Sequence, residues 1–474
     1  MKKRIRLKRA VQVILVLVLT AAFGCTAQPA EISPDLHNRS SDINSDIARG
    51  TSSYLYRSSP DSSELSGQSR APSEPSSSAQ SAASFISGSS SKSAISEQSE
   101  SQPNSSTGSS AASGTKQNTV YSNKAPSSVN NCIVGYYTSW ARNSGFTPDK
   151  INVSKLTHIN YAFADISSGL KLVMDDPVTD TANLEGLKNL KRRNLSLKII
   201  ISVGGWDNSA RFSDAAATES SRETFAQSCL DFLLKYGLDG VDLDWEYPVS
   251  GGLSGNVHRA DDKQNYTKLV QLIRQKLNAR STLDGKRYYL TVTGATDRGY
   301  IRNIELTSVL ASVDYLFIMG YDMHGPWDDR TGFNAPLYSS DAVSVNQGIE
   351  NYLNAGAPAK KLVLGMPFYG YLYQGVSAES NGFNSIFSSS KSVGFDTVVS
   401  NYLNHTGYDS YTDGTASVPY LYGNSTFISY EDAGSVARKA GLAKRYGLAG
   451  VGIWELSFDK NSVLLNSAYA ALFT

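Results

Sequence analysis

Eight short apolar runs, separated by stretches with helical spacing, fill the chain from residue 129 to its end at residue 474. They lie near Cys132–Thr138, His158–Ala164, Lys198–Val203, Gly240–Trp245, Tyr288–Thr293, Tyr315–Gly320, Leu362–Pro367 and Gly450–Trp454. Each has the length of a strand rather than a helix. The clearest helical pattern runs from Ser221 to Tyr236, where Phe225, Cys229, Phe232 and Tyr236 recur on one face. Ser220 and Glu223 are placed to form a capping box at its start, and Gly237 stands where a helix commonly ends in the left-handed conformation. Strand and helix in alternation predict a parallel sheet, and eight repeats predict its closure, so the expected class is α/β, a (β/α)8 TIM barrel. An open doubly wound sheet is the competing architecture, and no glycine-rich phosphate loop supports it. Between Tyr371 and Thr426 the alternation lapses into Ser, Gly, Tyr and Asn, with one helix-like piece near Phe395–Leu403. This reads as a small, irregular insertion after strand seven, on the face where barrel enzymes build their sites.

The first 128 residues have a different composition. Basic residues from Lys2 to Arg9 precede an apolar run from Ala10 to Phe23, the layout of a secretory signal whose apolar core is short for a membrane span. Cys25 follows Ala22-Phe23-Gly24, which resembles a bacterial lipobox, in which the cysteine becomes the lipidated first residue of the mature protein. A typical lipobox carries Leu where Ala22 stands, so simple cleavage near Ala27 competes with lipidation. Residues 1–27 are therefore read as an export signal. Residues 28–128 are dominated by Ser with Gly, Pro, Gln and Ala, a composition that cannot bury enough apolar surface to offset the entropy of ordering, so a disordered linker is expected there. The protein is then secreted, or anchored to the outer face of the cell membrane through Cys25.

A net charge of +1 speaks against nucleic acid as a partner. With Cys25 assigned to processing, Cys132 and Cys229 remain, read as two small buried thiols with a single disulfide as the alternative. No Cys/His cluster has zinc spacing, and neither metal nor cofactor is expected.

The chemistry concentrates in Asp239-Gly240-Val241-Asp242-Leu243-Asp244-Trp245-Glu246-Tyr247-Pro248. Side chains alternate along a strand, so Asp242, Asp244 and Glu246 share one face, expected to look into the barrel, with Val241 and Leu243 toward the helices. Three carboxyls at two-residue spacing raise one another's pKa, so one of them is expected to keep a proton near neutral pH. Glu246 lies nearest the open C-terminal rim and is the natural general acid. A row of acids neutralised by a cation or by buried basic partners is the alternative for such a motif in isolation.

This segment resembles the signature of glycoside hydrolase family 18, the chitinases and related enzymes. The resemblance runs from Ile133 to Phe458 and rests on further motifs: Ser202-Val203-Gly204-Gly205-Trp206 is similar to the third-strand motif, Met319-Gly320-Tyr321-Asp322 to the sixth, and Gly452-Ile453-Trp454-Glu455 to the eighth. It implies hydrolysis of β-1,4-linked N-acetylglucosamine polymers such as chitin, with retention and with the substrate's own acetamido group as nucleophile. Carried over, Glu246 protonates the glycosidic oxygen, Asp244 holds the acetamido nitrogen and the oxazolinium ion, and Asp242 shares a proton with Asp244. Tyr321 donates to the acetamido carbonyl and Asp322 supports the twisted ring. Trp454 forms the apolar floor under the reacting sugar. Tyr136, Met319 and Ser202 match positions that line this subsite or support the aspartates, with ordinary barrel filling as their alternative.

The five tryptophans all fall at or just beyond expected strand ends. Trp245 is out of phase with the acids and is expected to pack behind the site. Trp206, Trp140 and Trp327 are candidate sugar platforms, and Gly204 and Gly205 are expected to leave room for a sugar at the end of the third strand. His324, two residues past Asp322, is read as structural or solvent-facing rather than catalytic. Two other readings stay open: the same chemistry on peptidoglycan or on the chitobiose core of N-glycans, and a non-catalytic chitin-binding lectin. A monomer acting on chitin or chitooligosaccharides is the expected state.

Overall fold

The computed structural model describes residues 122–125, 131–341 and 343–473. The export signal, Cys25 and the Ser-rich stretch up to residue 121 lie outside the described residues. The strands are β1 (Cys132–Thr138), β2 (His158–Ile166), a short β3 (Leu172–Met174), β4 (Lys198–Gly204), β5 (Gly240–Asp244), β6 (Tyr289–Gly294), β7 (Tyr315–Met319) and β8 (Leu362–Pro367), followed by β9 to β13 of the insertion and then β14 (Gly450–Trp454). All pairings between barrel strands are parallel in the order β1, β2, β4, β5, β6, β7, β8, β14, and β14 returns to β1, which closes an eight-stranded barrel. These strands are buried on both faces, which is why they appear in the sequence as continuous apolar runs rather than alternating ones. β3 pairs antiparallel with the end of β2.

The expected strands match the observed ones to within two residues at each end. The helix preceding β5 spans Glu219–Tyr236 and ends at Gly237, φ 67°. Its cap differs from the expected pair. Thr218 accepts from the Ser221 amide and Ser221 accepts from the Thr218 amide, so the box begins two residues earlier. Glu223 instead forms an ion pair with Lys276 of the neighbouring helix Asp262–Asp284. At the start of β7, Asp314 pairs with Arg274 and Arg287 and accepts from the Leu290 amide; Arg274 and Asp314 are both fully buried. Removing Asp314 would strand the buried Arg274 charge, a loss of about 3–5 kcal/mol, read as a lower midpoint of denaturant unfolding.

Cys132 and Cys229 are both buried and unpaired, and burial pushes the Cys132 thiol up to about 12. Just ahead of β1, Asn278 donates to the carbonyls of Ser122 and Lys124, and the Ala125 amide donates to Ala311, so this short piece lies against the helices around the barrel.

The insertion is more regular than its composition suggests. β9 (Tyr369–Gln374), β10 (Ser389–Gly394), β11 (Asp409–Thr412), β12 (Pro419–Gly423) and β13 (Thr426–Ser429) form one antiparallel sheet in the order β10, β9, β13, β12, β11, with the helix Phe395–Asn401 following β10. Its two edge strands, Ser-Ser-Lys-Ser-Val-Gly and Asp-Ser-Tyr-Thr, are mostly polar and solvent-facing, so no apolar period marks them.

Candidate active site

β5 carries the acids. Asp242 lies deepest, with no exposed surface, and Asp244 and Glu246 follow toward the C-terminal rim, each 4% exposed. The row faces inward, because the Asp242 carboxylate accepts from groups on three other barrel strands. Tyr136 of β1 reaches it at 2.8 Å, Ser202 of β4 at 2.7 Å and Thr291 of β6 at 2.6 Å. Burial raises the pKa of Asp242, and these hydroxyls together with Asn160 oppose the rise. Above it, Asp244 accepts from Thr293 of β6 at 2.6 Å. Its carboxyl is held well above the usual range by burial, then by the neighbouring charges of Glu246 and Asp242. The structure thus gives Asp242 its partners from the surrounding strands and couples Asp244 to Glu246.

Glu246 is fixed through its backbone. Its amide donates to Ser209 at 2.9 Å, and its carbonyl accepts from Asn256 at 2.9 Å. Ser209 itself donates to the Gly205 carbonyl, so the ends of β4 and β5 are tied together. Gly204 and Gly205 have φ of 99° and 75°. The room they leave is filled by protein: a Cβ on Gly204 would meet the Asp244 carbonyl at 2.4 Å, and one on Gly205 would meet the Phe163 ring at 2.5 Å. Gly205 therefore admits a ring of the site wall where an open space for sugar was expected.

Past β7, Asp322 adopts φ 58° and has no exposed surface. Asn334 accepts its amide at 2.8 Å, and its carboxylate accepts from Tyr369 and, at 2.7 Å, from Tyr371, both on β9. Burial pushes its pKa to about 7, with the charge of Glu246 adding to the rise against the two tyrosine hydrogen bonds. The first strand of the insertion is thus a wall of the site. Tyr321 is buried beside Tyr369, ring centroids 6.0 Å apart. Met319, at the end of β7, is buried.

Aromatic contacts join most of the remaining candidates. Trp454 stacks on Phe163 at 5.6 Å and leans on Tyr136 at 5.4 Å, while Trp140 lies 6.5 Å from Phe163. Trp327 meets the edge of Tyr371 at 5.7 Å. Trp206 is half-buried on the short helix Gly205–Asn208 that leaves β4. Trp245 is buried behind the row, stacked on Phe212 at 5.4 Å with Tyr266 edge-on. His324 is held between Asp328 at 3.1 Å and Asp341 at 3.7 Å. Burial lowers its pKa, but the two aspartates outweigh burial and raise it. With the inserted sheet, this loop borders a concavity of about 630 Å³ lined by His324, Asp328, Arg330, Phe333, Phe383 and Asp413.

Sequence reasoning missed Thr291, Thr293, Ser209, Asn256, Phe163, Tyr369 and Tyr371. Thr291, Thr293, Phe163, Tyr369, Tyr371 and Ser209 lie 37 or more residues from the site residues they hold, and Asn256 reaches back ten residues from the loop after β5, so no local period marks any of them.

Residues 132–459 match the model of the glycosyl hydrolases family 18. Chitinase A1 of Niallia circulans is 43% identical over 408 residues, a match that spans 72% of this chain and 58% of that protein. Among solved structures, Chitinase ChiA74 from Bacillus thuringiensis aligns with a TM-score of 0.68 at 34% identity, covering 72% of this chain and 70% of that one. A glycoside hydrolase family 18 N-acetylglucosaminidase from Paenibacillus barengoltzii aligns with a TM-score of 0.66 at 34% identity, covering 72% of this chain and all of that one.

Proposed function

The chain belongs to the glycosyl hydrolases family 18, and from that premise we propose that it is an exported chitinase that hydrolyses β-1,4-linked N-acetylglucosamine polymers with retention. The observation that carries this reading is the convergence of Asp242, Asp244, Glu246 and Asp322 in one buried cluster, beside a stacked pair of rings, Trp454 on Phe163. Glu246 protonates the glycosidic oxygen. The bond to the leaving sugar breaks while the substrate's acetamido oxygen bonds to the anomeric carbon from the opposite face, giving an oxazolinium ion; water then attacks from the face the leaving sugar vacated and gives its proton back to the Glu246 carboxylate. Asp244 accepts the acetamido N–H and balances the positive charge, Tyr321 orients the acetamido carbonyl, and Asp322 supports the ring. Asp242, saturated by hydroxyl donors, keeps Asp244 in place and adds to its proton affinity. A nucleophile carried on the substrate is held next to the reacting carbon, and such proximity lowers a barrier by about 7–11 kcal/mol in the most favourable intramolecular cases.

Trp454 provides the floor of the subsite, with Tyr136, Met319, Ser202 and Gly205 around it, and Trp140, Trp206 and Trp327 offer platforms for neighbouring sugars. Release of 4-methylumbelliferone from the chitobioside and chitotrioside conjugates tests the reading. Turnover is expected with both, whereas oligosaccharide binding without turnover would make the protein a lectin. Faster release from peptidoglycan fragments or N-glycan cores would move the assignment to that polymer.

Export rests on the N-terminal pattern, with residues 1–27 as the export signal region, residues 28–128 as a linker and a monomeric barrel beyond. The mature protein is expected to begin at a lipidated Cys25. Mass spectrometry of its first tryptic peptide decides this: a peptide starting after Ala27 would mean simple secretion, and one retaining Met1 would overturn export.

A further inference from the structure

Thr293 lies within β6 and is 3% exposed. The Tyr300 hydroxyl donates to its backbone carbonyl at 2.9 Å, which fixes the strand at this residue. Its own hydroxyl is 2.6 Å from the Asp244 carboxyl and 3.3 Å from the Leu243 carbonyl. A hydroxyl has one proton to give. It donates to Asp244 when that carboxyl is ionised, and can turn to Leu243 when Asp244 itself carries a proton. The hydrogen bond to the charged form is the stronger of the two, so the arrangement favours ionised Asp244.

Burial and the charges of Glu246 and Asp242 work the other way. Asp242 on its own strand and Glu246 just past the strand's end repel its charge, Asp322 past β7 faces Glu246 with a carboxyl raised to about 7, and Tyr136 of β1, Tyr266 of the helix Asp262–Asp284 and Tyr300 of the helix Arg298–Arg302 are tyrosines kept neutral by burial. We infer that Thr293 is a positioning residue that divides the proton of the Asp244–Glu246 pair, biasing it away from Asp244 and toward Glu246. This inference rests on the mechanism proposed above, in which the productive state has a protonated Glu246 and a charged Asp244.

Three consequences separate this role from simple support of the barrel. Without the hydroxyl, the pair gives up its first proton at higher pH, so the acid limb of the kcat/KM profile moves up, by at most about one pH unit. In the one-proton state more of the proton sits on Asp244, so the plateau falls several-fold. Asp244 is charged in the fully deprotonated pair in any case, so the two apparent pKa values rise by about one unit in sum, and the alkaline limb takes the part of that rise that the acid limb does not.

The test is the pH profile of 4-methylumbelliferyl chitobioside hydrolysis by the full chain carrying Thr293→Val, which keeps the shape and removes the hydroxyl, and Thr293→Ser, which keeps the hydroxyl. The valine variant is expected to show the shifted acid limb and lower plateau, and the serine variant to restore both. Thr293→Ala serves in place of valine if that variant fails to fold. A valine or alanine profile superimposable on the wild type, or a serine variant that behaves like valine, overturns the inference. If Glu246→Gln is inactive while the Thr293→Val profile is unmoved, this inference alone falls; if Glu246→Gln stays active, the mechanism falls and takes this inference with it.

Discussion

Replacing Glu246 with Gln is expected to lower turnover of chitooligosaccharide conjugates by about 10²–10⁴-fold, the usual contribution of a general acid, while affinity for the oligosaccharide stays within a few-fold of wild type. The amide has nearly the shape of the acid, and the ties that place residue 246 run through its backbone to Ser209 and Asn256, which the substitution leaves intact. The proton is what disappears. The same change should stabilise the fold at neutral pH. Asp244 has a raised pKa in the folded protein, so the stability it contributes is present below its ordinary value of 3.8 and is lost as pH rises through the folded value. The charge of Glu246 is among the causes of that rise, and removing it lowers the folded value and reduces the loss. Thermal melting at pH 7 should therefore show a higher Tm for the variant than for wild type, with the gap closing toward pH 4. A variant that keeps more than a tenth of its turnover would place the proton donor elsewhere. Asp322, held up at about 7, would be the next candidate.

The barrel could be read from the chain because a parallel strand covered on both faces leaves an unbroken apolar run, and eight such runs leave few architectures. The acid row could be read for a similar reason. Alternation along a strand is a local rule, so Asp242, Asp244 and Glu246 had to share a face, and a row pointing outward would have buried three carboxyls among helices. What could not be read depends on which strands become neighbours. Thr293 reaches Asp244 across 49 positions and Tyr371 reaches Asp322 across 49 more, contacts that no period in the sequence announces. Tyr136 lies 106 positions from Asp242, and the resemblance to a known motif, not spacing, singled it out.

The insertion stands after the seventh barrel strand as expected, but its regular sheet escaped the sequence on different physical grounds. Tyr369, Tyr371 and Tyr373 are tyrosines that pack inside, whereas β10 and β11 present serine, lysine and aspartate to water, so neither edge shows an apolar face. Its consequence is chemical as well as architectural, since two of those tyrosines hold the carboxylate of Asp322. The glycines at the end of β4 show the same limit. Their permissive backbone was visible, but the occupant of the space, the Phe163 ring, comes from β2.

The account stands most directly on the identity of the nucleophile. No side chain of the acid row is assigned that role: Asp242 is enclosed by Tyr136, Ser202 and Thr291, and Asp244 is engaged by Thr293. If the acetamido group of the bound sugar attacks, deleting it removes the reacting atom while leaving the leaving group and the proton donor unchanged. The decisive measurement compares kcat/KM for the 4-methylumbelliferyl chitobioside whose reacting sugar is N-acetylated with that for the same conjugate bearing a free amine there. A loss of about 10³-fold or more is predicted, a small part of what an optimally placed intramolecular nucleophile supplies. Hydrolysis of the amine within tenfold of the acetamide would contradict the account and point to water or a protein carboxylate as the attacking group.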